Sequence, residues 1–326
     1  MPVTVPGPMT KDGVPLLKLY TKIMDDIGFY KEEMADLIGM FCETGTDTQA
    51  DIATVSMQMH PVAAGGRPFI QHVDTYELDI AAPKRFGVAA GLAADAWEAG
   101  LSSHRINQHA ESALKADRAH CICVIIDRIF ATAGWYGAWM TPPPFQASTF
   151  LASHTHYLGY NVGGLPNITI ASVAKEHIAE HGGDGSQVVG WINSKAAAAL
   201  EVSSELANSA IMNTPFIQKL QTMGFTPAFP LAGVPHMINN WIPENYCCYL
   251  DFEQKPMYWR YDSEEQRNLI VYDQETKPNA SNFWFAEYMR WSPNGGPTVL
   301  RPNAGVAVRL NNGTYAAPTS LIPTAA

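Results

Sequence analysis

The sequence predicts an α+β protein with mixed sheets. Residues 102–134 carry the longest helical pattern of the chain. Segments with strand periodicity alternate with Pro and Gly turns over much of the remainder, and they dominate its end. The predicted order is therefore an N-terminal arm, a hairpin, a long helix, an α/β lobe and a β-rich ending.

The first fifty residues predict an extended arm followed by short amphipathic helices. Residues 1–14 contain three prolines and two glycines, which disfavour a packed element. From Pro15 to Met40, apolar residues recur every three or four positions, and Gly28 is predicted to break the pattern. The resulting apolar stripe is expected to lie against something outside the arm.

Residues 52–82 predict a long hairpin. Residues 42–51, "CETGTDTQAD", are polar and turn-rich, and a strand-like run follows them. A Gly-Pro loop then precedes residues 69–80, "FIQHVDTYELDI", which alternate between apolar and polar. Because an isolated hairpin is marginally stable in water, this one is expected to rest on a partner surface.

The later segments give a more regular pattern. The long helix begins at Ser102 or Ser103 and is expected to stop at Gly134. A second helix is predicted after a cap at Asn167 or Thr169, and a third opens at Ser194. Strands are predicted for the segments "QVVGWIN", "KPMYWRYD", "NLIVYD", "NFWFAEYMRW" and "TVLRPNAGVAVRLNNGTY".

The composition of the 326-residue chain argues against several classes of function. Charged residues are 16% of the chain and hydrophobic residues 47%, which fits either subunit interfaces or a large core. The net charge is −10 and basic residues are not clustered, so sequence-specific nucleic-acid binding is not expected. No secretory signal or membrane-spanning stretch is apparent.

Five cysteines are present, and they predict buried free thiols in a reducing compartment rather than a disulfide framework. Their number is odd, and none of them has C-x-x-C spacing. They are Cys42, Cys121, Cys123, Cys247 and Cys248.

Two groups of histidines are candidate metal ligands. His177, Glu180 and His181 read H-x-x-E-H, an order used by one class of zinc peptidase. However, Gly182 and Gly183 follow at once, which places the motif in a helix's last turn, where a histidine is favoured by the helix dipole. The alternative to a zinc-dependent hydrolase is therefore an ordinary helix end, and the latter is preferred.

His154 and His156 form the second group. On a strand they would face the same side and could bind a metal, but packing or hydrogen bonding beside Tyr157 is the preferred interpretation. G-x-S-x-G, Walker A and G-x-G-x-x-G motifs are absent from the sequence. We therefore predict no catalytic residues, no cofactor, no metal and no enzymatic activity.

Several segments, in their order and spacing, resemble the major capsid proteins of tailed bacteriophages, which have the Hong Kong 97-type shell fold. The resemblance extends from about residue 15 to residue 315. The matching segments are "ADRAHCICVIIDRIF", "FLASHTHYL", "IAEHGG", "VVGWINSKAAAAL", "AGVPHMINNWIPENY", "KPMYWRYD" and "RPNAGVAVRLNNGTY".

The resemblance implies a division into domains. Residues 1–50 would be an N-terminal arm over a neighbouring subunit, and residues 51–84 an extended loop on an adjacent one. Residues 85–164 would form a peripheral domain with a spine helix at 103–133. Residues 165–250 would form the axial domain, and residues 251–326 would return to the peripheral domain and end in a tail.

The resemblance also implies a function. The chain would self-assemble as hexamers and pentamers into an icosahedral shell that encloses double-stranded DNA, contacted non-specifically. It would be part of the virion, assembled in the host cytoplasm without membrane contact. Its partners would include portal, scaffolding and decoration proteins.

Two features of some relatives are not carried over. The N-terminal region is too short for an internal scaffold, so a separate scaffold or none is expected. Lys84 lies at the base of the hairpin, so an intersubunit cross-link is not assigned to it. An encapsulin-type bacterial compartment is an alternative, which the content of the shell would distinguish.

Overall fold

A computed structural model gives the fold of most of the chain. It describes residues 9–53, 75–92, 102–132, 154–180, 187–201, 214–272 and 284–320.

Five α-helices of the described ranges form the helical part of the fold. Three of them begin at a polar cap, because a side-chain oxygen there accepts a backbone N–H of the first turn. The caps are Ser102, Asn167 and Thr214. The helices are α1 (Leu16–Phe41), α2 (Ser103–Phe130), α3 (Ile168–Ala179), α4 (Ser194–Glu201) and α5 (Pro215–Thr222).

The strands of the described ranges form four sheets. The largest has the order β5-β14-β9-β6-β8-β7, and the smaller ones are β1-β10-β13, β11-β12-β4 and β2-β3. In chain order, the strands are β1 (Cys42–Gly45), β2 (Gln49–Ala53), β3 (Thr75–Asp79), β4 (Pro83–Leu92), β5 (Tyr157–Gly159), β6 (Val188–Ile192), β7 (Thr226–Leu231), β8 (Val234–Ile238), β9 (Tyr246–Asp251), β10 (Met257–Arg260), β11 (Ile270–Tyr272), β12 (Trp284–Pro293), β13 (Thr298–Val299) and β14 (Gly305–Arg309).

The six-stranded sheet separates two hydrophobic cores. Every residue of β6 is buried, as the sequence predicts for "VVGWI". Alternate residues point to opposite faces, so Val189 and Trp191 join the larger core with α1 and α2. Val188 and Ile192 join the smaller core with α3 on the other face. The mixed parallel and antiparallel pairing of β6 confirms the predicted mixed sheet.

Helix α1 differs from the sequence expectation at Gly28 and agrees with it on the apolar stripe. It runs without interruption for 26 residues, so the predicted break at Gly28 is wrong. Its apolar stripe, including Ile27, Met34 and Leu37, is buried in the chain's own larger core. Helix α2 and the sheet supply the partner surface for this stripe, and whether residues 1–50 also reach over a neighbouring subunit stays a prediction.

The base of the predicted hairpin is present. Strands β2 and β3 pair antiparallel from Gln49↔Asp79 to Ala53↔Thr75. The predicted tip and the rest of the predicted strands lie outside the described residues. Whether the hairpin rests on a neighbouring subunit therefore stays a prediction.

The sequence expectation of a turn at residues 42–51 is only partly right. Cys42–Gly45 forms β1, which pairs in parallel with β10. The two strands are more than two hundred residues apart in the chain, so no local pattern could indicate this pairing. The β-rich ending is confirmed, and its strand β12 pairs with β4 over ten residues.

All five cysteines are free and buried, which confirms the sequence prediction. Burial raises the pKa of the Cys121 thiol to about 12 and that of the Cys247 thiol to about 12. These thiols are therefore neutral packing groups at physiological pH.

Two glycine substitutions should change the free energy of unfolding in opposite directions. A Cβ at Gly28 would meet nothing within 4 Å, so Gly28→Ala should stabilise the protein by about 0.5–1 kcal/mol through helix propensity. A Cβ at Gly190 would lie 2.5 Å from Cδ2 of His236, so Gly190→Ala should destabilise it by about 1–3 kcal/mol. Urea unfolding of the two variants measures both effects, and a stabilising Gly190→Ala would contradict this packing.

His236 occupies the space beside Gly190 and is fully buried. Its Nδ1 lies 2.9 Å from the Val234 carbonyl oxygen, which only accepts, so Nδ1 donates and Nε2 accepts from the Tyr249 hydroxyl at 3.3 Å. Burial lowers the pKa of His236 to about 4.

The lowered pKa of His236 predicts that the folded protein loses stability in acid. The unfolded chain binds a proton near pH 6.5 that the folded chain binds only near pH 4, so stability falls as pH drops through this window. The loss attributable to His236 should reach about 2 kcal/mol at pH 5. Unfolding free energies between pH 7 and 4.5 should show a shallower pH slope for His236→Gln than for wild type. His104→Gln, at an exposed position of α2, is the control for replacing a surface histidine.

Candidate functional site

The structure places most of the H-x-x-E-H motif at the end of α3. His177 lies in the last turn of α3, and Glu180 is exposed just after it. The helix end therefore agrees with the preferred interpretation, while His181 lies outside the described residues. The zinc hydrolase interpretation stays an untested alternative.

His177 instead meets the other two histidine candidates. The rings of His154 and His177 are stacked, with centroids 4.7 Å apart and planes 11° apart. The rings of His156 and His177 are 4.4 Å apart. The three residues can each present one ring nitrogen such that all three nitrogens lie within 4.8 Å of one another. We call these three residues the histidine cluster.

The fold explains why these side chains converge. His154 and His156 immediately precede β5, which pairs in parallel with β14, and α3 packs on β14. The Ala307 N–H donates to the His156 carbonyl, which holds the backbone of His156 in the sheet. The cluster thus lies between the outer edge of the large sheet and the end of α3.

The environment of the histidine cluster favours neutral imidazoles. Burial lowers the pKa of His154, and the nearby Glu180 charge only partly opposes this. Burial and then the charge of His154 lower the pKa of His177. Neutral imidazole is the form that binds metal ions, so the cluster is the place among the described residues where a metal could be held.

A second polar group lies in the larger core and joins three segments of the chain. The Asp117 carboxylate of α2 accepts two hydrogen bonds from Arg290 of β12, at 2.6 and 2.7 Å. It also accepts one from the Tyr30 hydroxyl of α1 at 2.7 Å. The Asp117 and Arg290 side chains are only 4% and 3% exposed. We call these three residues the buried charge cluster.

The buried charge cluster fixes the position of α1 and α2 relative to β12. Burial, followed by the Asp117 charge, holds the pKa of Tyr30 well above its ordinary value, so its hydroxyl stays a donor. The charge of Arg290 is compensated by a bidentate carboxylate, which is the favourable geometry for a buried pair. The Cys121 thiol lies near enough to interact electrostatically with both Asp117 and Arg290, but burial raises its pKa to about 12, so it stays neutral beside the pair.

The sequence analysis did not identify the buried charge cluster, although a signal for Asp117 exists. Asp117 falls on the apolar face of α2, between Ala113 and Cys121, and all three are buried. A charged residue at a core position requires a charged partner. The identity of that partner, 173 positions further along the chain, is not readable from the sequence.

Several large apolar side chains remain exposed on the described surface. Phe29 is 73% exposed on the outer side of α1, away from the buried stripe. Single exposed apolar residues are normal on protein surfaces, so this observation alone does not define an interface. The others are Met9, Tyr20, Met24, Val88, Ile168 and Trp241. None of the helices in the described ranges combines the length and apolar character needed to cross a bilayer.

Comparison with known proteins gives similarity in structure but not in sequence. No protein-family model matches the chain, and no curated protein matches its sequence. A solved structure from Mycobacterium phage Patience aligns with a TM-score of 0.62 at 16% identity, over 98% of this chain and 97% of that one. The capsid of cyanophage P-SCSP1u aligns with a TM-score of 0.54 at 12% identity, over 83% and 87% of the two chains.

A third solved structure is also similar to this chain. The mature capsid of bacteriophage PhiM1 aligns with a TM-score of 0.50 at 12% identity, over 83% of this chain and 85% of that one. The chain has the fold of a phage capsid protein.

Removal of the Asp117 carboxylate should destabilise the capsid fold strongly. Asp117→Asn leaves the buried Arg290 charge uncompensated, and we expect a loss of about 3–5 kcal/mol in the free energy of unfolding. Denaturant unfolding of the isolated subunit measures this loss.

The control for this experiment is the ion pair between Glu33 and Arg118, which also joins α1 to α2. Its side chains are 41% and 28% exposed, so Glu33→Gln should cost less than about 1 kcal/mol. Equal losses in the two variants would contradict a special role for the buried charge cluster.

Proposed function

We propose that the chain is a structural major capsid protein of a tailed bacteriophage. It assembles as hexamers and pentamers into an icosahedral shell of the Hong Kong 97 type, which encloses double-stranded DNA. The observation that carries the proposal is the similarity in fold to the capsid structures of cyanophage P-SCSP1u and bacteriophage PhiM1, together with the match to the Mycobacterium phage Patience structure over 98% of the chain.

The structural grounds for this proposal differ from the grounds for the expectation from sequence. That expectation rested on a front segment without a partner in its own chain, yet α1 is packed on its own core. The proposal rests on the fold, which the capsid structures of bacteriophage PhiM1 and cyanophage P-SCSP1u share over 83% of this chain. A capsid subunit with a complete core of its own can fold first and assemble afterwards.

The domain assignment is part of the proposal. Helix α2 would be the spine helix of a peripheral domain, and residues 165–250 would form the axial domain. The hairpin begun by β2 and β3 would be the extended loop on an adjacent subunit. In the N-terminal arm, the residues outside α1 and the exposed side of α1 that carries Phe29 would be available to contact neighbours.

The charge of the chain fits the enclosed genome. A net charge of −10 would weaken non-specific adhesion of DNA to the shell. Portal, scaffolding and decoration proteins would be partners, and the protein would act as a component of the virion rather than as an enzyme. These roles are proposed from the fold.

Expression of the chain alone and negative-stain electron microscopy test the proposal. We expect closed particles built of hexameric and pentameric capsomers. A subunit that remains monomeric at high concentration, with and without co-expressed scaffolding protein, would contradict it. In particles from the native source, nuclease-resistant double-stranded DNA would support the phage capsid, whereas a single enclosed protein would support the encapsulin-type compartment.

Phe29 supplies a mutational test of assembly. Its side chain is exposed and contributes little to the subunit core, so Phe29→Asp should leave the unfolding midpoint within a few degrees of wild type. If the outer side of α1 contacts a neighbour, the buried charge should reduce particle yield at least tenfold in sedimentation assays. Gln108→Asp, at an exposed position of α2, is the control and should assemble normally. Normal assembly of Phe29→Asp would exclude this surface from the intersubunit contacts.

A further inference from the structure

The histidine cluster has the composition of a metal site. Its members come from two separate elements: His154 and His156 precede β5, and His177 ends α3. Their three ligand atoms lie within 4.8 Å of one another. In a tetrahedral zinc site the ligand nitrogens are ~3.3 Å apart, since each lies about 2.0–2.1 Å from the ion. To close on one ion, the nitrogens would approach one another by up to ~1.5 Å, and the stacked rings of His154 and His177 would turn so that their in-plane lone pairs converge.

Backbone carbonyls orient the rings of this cluster. The Gly305 carbonyl oxygen lies 2.6 Å from Nδ1 of His156, and a carbonyl only accepts, so Nδ1 carries the proton. This assigns the lone pair to Nε2. His177 makes a hydrogen bond with the backbone of Thr155. Histidines that bind metals usually donate their second ring N–H to such an acceptor, which fixes the tautomer and the ring orientation.

Burial differs among the three members in a way that suits a partly open site. His156 is fully buried, while His154 and His177 are half-buried. Because the Nε2 atoms of His156 and His177 are both buried, an ion would enter from the side of the partly exposed His154. Glu180 lies near enough for its charge to act on both half-buried rings.

We propose that His154, His156 and His177 form a binding site for one divalent transition-metal ion of the zinc class. Three imidazole ligands suit Zn²⁺, Co²⁺, Ni²⁺ and Cu²⁺, whereas Mg²⁺ and Ca²⁺ require oxygen ligands. Water or the Glu180 carboxylate completes the coordination. The ion would tie α3 to the β5–β14 edge of the sheet, and its role is structural. The proposal does not depend on the capsid function, because it concerns the folded subunit.

Metal binding to the isolated subunit tests the proposal directly. The chain is purified without a polyhistidine tag, stripped with chelator and titrated with Co²⁺ and Zn²⁺. We expect one ion per chain, a visible Co²⁺ absorption typical of tetrahedral coordination, and its displacement by Zn²⁺. Because the ion binds only the folded state, a hundredfold excess of Zn²⁺ over Kd should raise Tm by about 3–6 °C.

Variants of the half-buried ligands separate this site from adventitious binding. His154→Asn and His177→Asn should each lose the Co²⁺ absorption and the Zn²⁺-dependent rise in Tm, while circular dichroism shows that they remain folded. His104→Asn, at an exposed position on α2, should bind as wild type. Failure of the wild-type chain to bind one equivalent at micromolar concentration would overturn the proposal, as would unchanged binding in both ligand variants.

Discussion

The fold depends on one buried interaction, the contact of Asp117 with Arg290 and Tyr30. Each residue comes from a different element: α2, β12 and α1. Because an uncompensated charge in a core is very costly, this contact favours a single relative placement of the two long helices and the strand β12. Apolar packing supplies most of the stability around it, but apolar surfaces alone tolerate sliding. The buried charge cluster therefore specifies the geometry of the larger core.

The packing of α1 on its own chain limits the surfaces through which subunits of a shell could meet. Helix α1 is a part of the subunit core, and its apolar stripe is covered by the same chain. Contacts between subunits would then use the surface that remains: the hairpin begun by β2 and β3, and exposed apolar residues such as Phe29. Such a subunit would be stable before assembly, and many modest contacts repeated by symmetry would make the shell rigid.

Local signals in the sequence predicted most of the elements. The caps at Ser102 and Asn167, the all-apolar strand β6 and the alternating end of β3 are each readable from neighbouring residues. The errors concern long-range packing. Gly28 does not break α1, because burial of Ile23, Ile27 and Met34 on the core outweighs the roughly 1 kcal/mol cost of a helical glycine. Strand β1 forms in a polar stretch because β10 pairs with it. The histidine candidates were visible separately, but only the fold brings His177 to His154 and His156.

The central claim is that each subunit completes its own core and then assembles into a closed shell. Electron cryomicroscopy of particles formed by the purified chain tests both halves of this claim at once. We predict that α1 packs on α2 of the same chain, with the Tyr30 hydroxyl against the Asp117 carboxylate. Neighbouring subunits should meet through other surfaces. Density in which α1 of one subunit packs on α2 of another, or the absence of any closed shell, would contradict it.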